Sequence, residues 1–200
     1  MKSFSVVASV VVVVMLASCE KPVQEQTVKL DLSNKELVSR GKYIVTTSAC
    51  HDCHSPKVFT ANGPEPDTSR LLSGHPKDEP LPELGSPPPG WAMFSPALTA
   101  SRGPWGITYA ANLTPDETGI GNWTFDQFKR AIREGKYKGL EGSRPLMPPM
   151  PWQMYKNFTD DDLLAVFAYL KSLKPVNNLV PVNIPMDKLQ SLAQIEQTPK

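Results

Sequence analysis

Five consecutive residues, Cys50-His51-Asp52-Cys53-His54, hold most of the chain's capacity for chemistry. Two thiols spaced C-x-x-C and followed at once by an imidazole form the pattern of covalent haem attachment. In a helical turn Cys50, Cys53 and His54 stand at i, i+3 and i+4 and project from one face. Two thioethers could then hold a porphyrin while His54 reaches its iron through a neutral, basic nitrogen. Three other chemistries use the same residue types. A thioredoxin-like redox pair belongs after a strand in a βαβ pattern, whereas residues 33–49 carry a helical pattern. Zinc asks for a second pair of ligands; no cysteine follows Cys53, and the one later histidine is His75. A disulfide from Cys50 to Cys53 would close a tight, strained loop with little entropy to gain. Haem attachment is the reading these residues support best.

A haem iron has a second axial position. In Pro145-Leu146-Met147-Pro148-Pro149-Met150-Pro151-Trp152 the prolines around Met150 fix the backbone and lower the entropy lost in ordering one thioether. Soft sulfur paired with histidine raises the reduction potential. Met150 is the first candidate, Met147 the fallback, and Met154 is also in range; filling the core is the ordinary alternative for each. Trp123 enters a helix from a loop and brings an indole N–H that needs a partner when buried, for which a haem propionate is one candidate. His75 sits in the turn-like Ser73-Gly74-His75-Pro76 and reads as a solvent-exposed loop residue rather than an iron ligand.

Helices must position these groups. Ser33 fits an N-cap with Glu36 three residues on, and Leu37, Arg40, Tyr43, Ile44 and Val45 lead toward the haem motif. Gly41 inside that helix costs about 1 kcal/mol relative to alanine; a close crossing by another helix would account for it, as would a tolerated surface position. A second helix is capped by Thr124, with Gln127 closing the box, Phe125, Phe128, Ala131 and Ile132 on one face, and Gly135 at its end. The third runs from Thr159 to Leu173. Asp160, Asp161 and Asp162 suit its positive end, Lys171 and Lys174 its negative end, and Leu163, Val166, Phe167 and Leu170 form its apolar face. Between the first two lies a Pro- and Gly-rich insertion, about residues 56–106, that cannot sustain regular structure for long. Trp91, Met93, Phe94, Trp105 and Tyr109 suggest that its second half packs on something apolar, either a haem edge or a minor cluster of its own. Residues 176–200 read as a tail that straps over the surface or frays.

Composition narrows the class. Two hundred residues suffice for one domain with a core that needs no disulfides, and a net charge of +1 gives nucleic-acid binding no electrostatic support. Residues 1–18 combine Lys2, an apolar run around Val10 to Val14, and the small-residue site Leu16-Ala17-Ser18 before Cys19. That last tetrapeptide resembles the bacterial lipobox, which implies cleavage before Cys19 and lipidation of it. The run is shorter than the roughly 20 apolar residues that span a bilayer. Acylated Cys19 would tie the domain to the periplasmic or cell-surface side of a bacterial membrane through a tether at residues 19–32.

Taken together, these pieces resemble the class I monohaem c-type cytochromes over residues 33–175. Cys50, Cys53 and His54 match the haem motif of that family; Gly41 and Tyr169 match the residues that meet where its first and last helices cross; Trp123 matches a propionate-side tryptophan. The stretches Asn112-Leu113-Thr114-Pro115-Asp116, Gly119-Ile120-Gly121-Asn122-Trp123 and Pro148-Pro149-Met150-Pro151-Trp152 look like the haem domains in cytochrome subunits of membrane-bound alcohol and aldehyde dehydrogenases. One departure stands out: those subunits often carry several C-x-x-C-H motifs, and this chain has one. The resemblance implies an all-α cytochrome c fold with a long loop insertion, one covalent haem c, and His54 and Met150 as axial ligands. It also implies a single-electron carrier rather than an enzyme, with a dehydrogenase or quinol-oxidising complex as donor and an oxidase or reductase as acceptor. The alternative is a haem enzyme with an open iron site acting on peroxide or a small gas.

Overall fold

A computed structural model describes residues 34–79 and 87–189. The frame is a crossing of two helices, α1 (Lys35–Thr47) and a C-terminal helix at Asp160–Ser172. Asn34, not Ser33, caps α1: its side chain accepts from the Glu36 and Leu37 N–H groups, both at 3.1 Å. Ser33 lies outside the described residues. Thr159 caps the C-terminal helix by accepting the Asp162 N–H at 3.1 Å, and the three aspartates of its first turn face the positive end of the helix dipole.

Gly41 decides how close these helices come. A Cβ there would stand 1.9 Å from the Ala165 carbonyl oxygen and 2.8 Å from Tyr169 Cβ, so the backbones meet where no side chain fits. The close-crossing explanation of Gly41 is therefore correct. Around the crossing Ile44, Val45, Leu72, Ile120, Leu163, Val166, Phe167 and Leu170 form one buried cluster. Helix Phe125–Arg133 adds Phe128, stacked on Phe167 with ring centroids 5.2 Å apart. Its cap is half as expected. Thr124 Oγ1 accepts the Gln127 N–H at 3.1 Å, but the Gln127 side chain donates to the Lys138 carbonyl instead of closing the box. Gly135 follows the helix in the left-handed region at φ 62°. In chain order the helices are α1, α2 (Cys50–His54), α3 (Phe125–Arg133), α4 (Trp152–Tyr155) and α5 (Asp160–Ser172).

The expectation of an all-α fold is wrong: the chain combines helices with two antiparallel sheets. In the first, β1 (Lys57–Thr60) pairs with β2 (Gly63–Pro66) around Ala61-Asn62, with Gly63 at φ 109°. The second has the order β3 (Met93–Phe94), β4 (Ala100–Gly103), β5 (Gly106–Tyr109), β6 (Ile184–Pro185). Of the glycines and prolines that read as breakers, Gly103, Pro104 and Gly106 make the β4–β5 turn, whereas Pro64 and Pro66 lie within β2. The short strands also lack the long apolar alternation that marks a strand in sequence. Residues 176–185 do strap over the surface, ending as β6 against β5, where a Cβ on Gly106 would lie 2.1 Å from the Ile184 carbonyl oxygen. Within the described residues no helix is long and apolar enough to cross a membrane. Residues 1–18, Cys19 and the tether at 19–32 lie outside them.

Because the crossing leaves no room at residue 41, Gly41→Ala should lower stability by about 2 kcal/mol or more. Lys42→Ala, on the exposed side of the same helix, should stay within about 0.5 kcal/mol. Denaturant unfolding of both variants checks this, and equal midpoints would refute the tight crossing.

Candidate haem site

Helix α2 exists because the chain turns sharply after α1. Ala49 takes the left-handed conformation at φ 58°, ψ 25°, and the preceding Ser48 carbonyl accepts the Tyr155 hydroxyl at 2.6 Å. One helical turn then places Cys50, Cys53 and His54 on a common face. Its C-terminal carbonyls are gathered by Lys57, whose Nζ donates to His51, Asp52 and Ser55 at 2.9, 2.9 and 2.7 Å. A cation at the negative end of a helix is the favourable sign. Ser55, fully buried, accepts the Leu72 N–H at 2.9 Å and lies 2.9 Å from His51 Nδ1. Burial pushes the Cys50 thiol up to about 11 and also raises Cys53. Tyr155 beside them is pushed up to about 12, first by burial and then by the two sulfurs. Thiols held protonated at neutral pH are poor nucleophiles, which counts against a thiol oxidoreductase.

His54 is oriented from the other side. Its Nδ1 lies 2.8 Å from the Ala111 carbonyl oxygen, and because a carbonyl can only accept, Nδ1 carries the proton. Nε2 is left with its lone pair. Burial lowers the pKa of His54, with the Ala111 hydrogen bond acting the other way, so the neutral form is favoured. The carbonyl itself is held by residues 72–75, which run as a rail between α2 and residues 110–113. Gly74 N–H donates to the His54 carbonyl at 2.8 Å, His75 N–H to Ala110 at 2.9 Å, and Leu113 N–H to Leu72 at 2.8 Å. Gly74, at φ 80°, comes so close that a Cβ would meet the Ala110 oxygen at 2.5 Å. Behind the rail, Asn178 Nδ2 donates to the Ser73 and His75 carbonyls at 2.7 and 2.9 Å.

His75 is not the exposed loop residue that its turn-like context suggested. It has no exposed surface; Nδ1 lies 2.9 Å from Thr99 Oγ1, Nε2 lies 3.1 Å from the Glu79 carbonyl, and its ring tilts against Tyr109. With both nitrogens engaged it is a packing residue of the insertion. Partners from residues 79, 99 and 109 bury it, and none of them is legible from residues 73–76.

The methionine loop is clamped at three points. Leu146 N–H donates to the Gly135 carbonyl at 2.6 Å, Thr108 Oγ1 donates to Pro148 at 2.9 Å, and Gly135 abuts the Trp152 ring, where a Cβ would come within 2.4 Å. Met147 and Met150 are both half-buried, whereas Met154 is 69% exposed. Trp123 is half-buried against the core cluster.

These residues fit a haem. The site offers two half-buried thiols on one helical face, a neutral imidazole with one free nitrogen, and thioethers on a loop tied to β5, a donor set suited to an iron porphyrin. Among the described residues no three His, Cys, Asp or Glu side chains gather as a metal cluster. Reading the sequence missed Lys57, Ser55, Tyr155, Thr108 and the Ala111 carbonyl. A lysine three residues past a short helix is a recognisable C-terminal partner; a backbone acceptor leaves no trace in residue types.

The family model for cytochrome c matches residues 38–174. Among curated proteins, the chain is 30% identical over 79% of its length to the fructose dehydrogenase cytochrome subunit of Gluconobacter japonicus, covering 24% of that protein. It is 31% identical over 70% of its length to the gluconate 2-dehydrogenase cytochrome c subunit of Pantoea cypripedii, again covering 24%. One of the nicotinate dehydrogenase subunits of Pseudomonas putida is 44% identical over 40% of this chain and 7% of its own length. The chain thus spans about a quarter or less of these relatives.

The buried hydroxyl of Ser55 supplies the next test. Ser55→Ala leaves the Leu72 N–H without its acceptor and should cost about 1–3 kcal/mol. Chemical denaturation of the two proteins measures it; an unchanged midpoint would mean that the hydroxyl does not hold the rail.

Proposed function

The chain belongs to the cytochrome c family, and we propose that it carries single electrons through one covalent haem c in a respiratory or dehydrogenase-linked chain. The observation that carries this reading is the imidazole of His54, locked by Ala111 with Nε2 free and standing on the same helical face as two thiols. Cys50 and Cys53 would hold the porphyrin through thioethers, with His54 Nε2 and the Met150 sulfur on the two sides of the iron and Met147 as the fallback. Bound haem supplies a ferric–ferrous couple.

What the protein's residues contribute is position and environment. The Ala111 carbonyl draws on the Nδ1 proton, which makes Nε2 a better donor, and it fixes the plane of the ring. Prolines around Met150 keep the thioether from wandering between oxidation states. Trp123 Nε1–H would serve as a donor for a haem propionate. With His54 and Met150 both committed to the iron, the protein would leave no open position for substrate. This arrangement belongs to a carrier, not to an enzyme acting on peroxide or a small gas.

The cellular setting follows from the first nineteen residues. A lipoprotein signal peptide at 1–18, acylation of Cys19 and a tether at 19–32 would place the haem domain of residues 33–175 beside a bacterial membrane on its periplasmic or cell-surface side. The relatives named above are subunits of dehydrogenases, which supports a dehydrogenase as electron donor; an oxidase or reductase would accept. Contacts with such partners are small and transient.

Protein produced in cells with c-type maturation should keep its haem through acid–acetone extraction. Its oxidised form should be low-spin and show a methionine-to-iron charge-transfer band. Met150→Ala should abolish that band while Met147→Ala keeps it; the opposite pattern moves the ligand to Met147, and a high-spin spectrum from the unsubstituted protein would favour the open-site enzyme.

A further inference from the structure

The turn between β4 and β5, Gly103-Pro104-Trp105-Gly106, holds an aromatic residue that the proposed function leaves unused. Its indole folds back beneath the hairpin. A Cβ on Gly103 would stand 2.7 Å from Trp105 Cη2 and 2.8 Å from Cζ2 and Cζ3, so glycine at 103 is what admits the ring. Gly103 and Ser101 share one face of the sheet, since successive residues of a strand alternate. Ser101 is paired with Thr108, their hydroxyls 2.7 Å apart, and Thr108 Oγ1 reaches the Pro148 carbonyl of the methionine loop. The Trp105 ring therefore lies on the sheet face that looks toward that loop.

Its N–H is the unusual part. Trp105 Nε1 is buried and has no hydrogen-bond partner among the described residues. A buried donor left unpaired costs about 1–3 kcal/mol, and an indole can only donate. A ring wedged in place by glycine, with its donor shut off from water, fits an acceptor brought by something other than this chain. Haem carries two such acceptors, the carboxylates of its propionates. Resting on the haem reading above, we propose that Trp105 Nε1–H donates to a haem propionate and so helps to set the iron's potential. Trp123, matched to that role by resemblance, approaches from the helical core; Trp105 approaches from the sheet of the insertion.

The test uses holoprotein and Trp105→Phe, which keeps an aromatic ring and removes the donor. Without that donor the carboxylate charge is less compensated and favours ferric iron. The midpoint potential of Trp105→Phe, read by spectroelectrochemistry, should therefore fall, and the propionate bending mode in resonance Raman should shift. Trp91→Phe, at an indole 69% exposed, should move neither. Haem bound normally with both readouts unchanged in Trp105→Phe overturns the assignment, as does a shift confined to Trp123→Phe. If Trp105→Phe does not fold, proton NMR of the reduced, unsubstituted holoprotein decides: a nuclear Overhauser contact between the Trp105 indole N–H and the propionate methylene protons supports the bond, and its absence overturns it. Absence of covalent haem from the unsubstituted protein is a different result and defeats the carrier reading itself.

Discussion

An imidazole that donates from one nitrogen to a fixed carbonyl keeps the lone pair of the other, and much of this fold serves to fix that carbonyl. The acceptor is a backbone carbonyl 57 residues away, at 2.8 Å from His54 Nδ1. A carbonyl so distant in sequence stays in place only if its segment is fixed from several sides. Residues 72–75 hydrogen-bond to His54 on one flank and to Ala110 and Leu113 on the other. The C-terminal strap locks this rail through Asn178, while Asn112 donates to the Val176 carbonyl at 2.8 Å. The buried amides have their donors and acceptors engaged, so the network is rigid rather than merely crowded.

The second constraint is the helix crossing. Gly41 lets α1 touch α5, and α1 leads within three residues into the haem motif. Alanine at this position would push α1, the helix that leads into α2, away from α5. The crossing is reinforced by the ion pair of Arg40 with Asp162, but exposed pairs of this kind contribute little. Van der Waals contact of backbones and the apolar cluster below them hold the crossing together.

Helices were legible where capping and periodicity agree. Thr124 and Thr159 cap the helices assigned to them, and Gly135 ends α3, because those signals are local. The first cap shifted by one residue, to Asn34, since Ser33-Asn34 offers two side chains with the same chemistry. Strands were not legible. β4 and β5 are four residues each, carry glycine at both ends of their turn, and owe their place to β6 from the far end of the chain. His75 failed for the same reason: its burial depends on Thr99 and Tyr109, joined to it by long-range pairing alone. The proposed haem-attachment residues stood out because covalent chemistry demands fixed spacing, whereas supporting carbonyls and hydroxyls can come from anywhere the fold delivers them.

Strand β5 joins these arguments. Thr108, within it, holds the methionine loop through Pro148, and Ala111, three residues on, holds His54. That interval is roughly 10 Å of extended chain. Both sides of the site are thus referenced to one short segment, itself hydrogen-bonded to β4 on one edge and β6 on the other. A shift of one ligand segment relative to the other would have to bend a paired strand and break the rail beside it. Electron transfer is fast when oxidised and reduced forms differ little in geometry, and a common backbone reference for the two proposed ligands would keep that difference small. The insertion that read as an irregular elaboration supplies the rail at residues 72–75 and strand β4, which brace that segment from both sides.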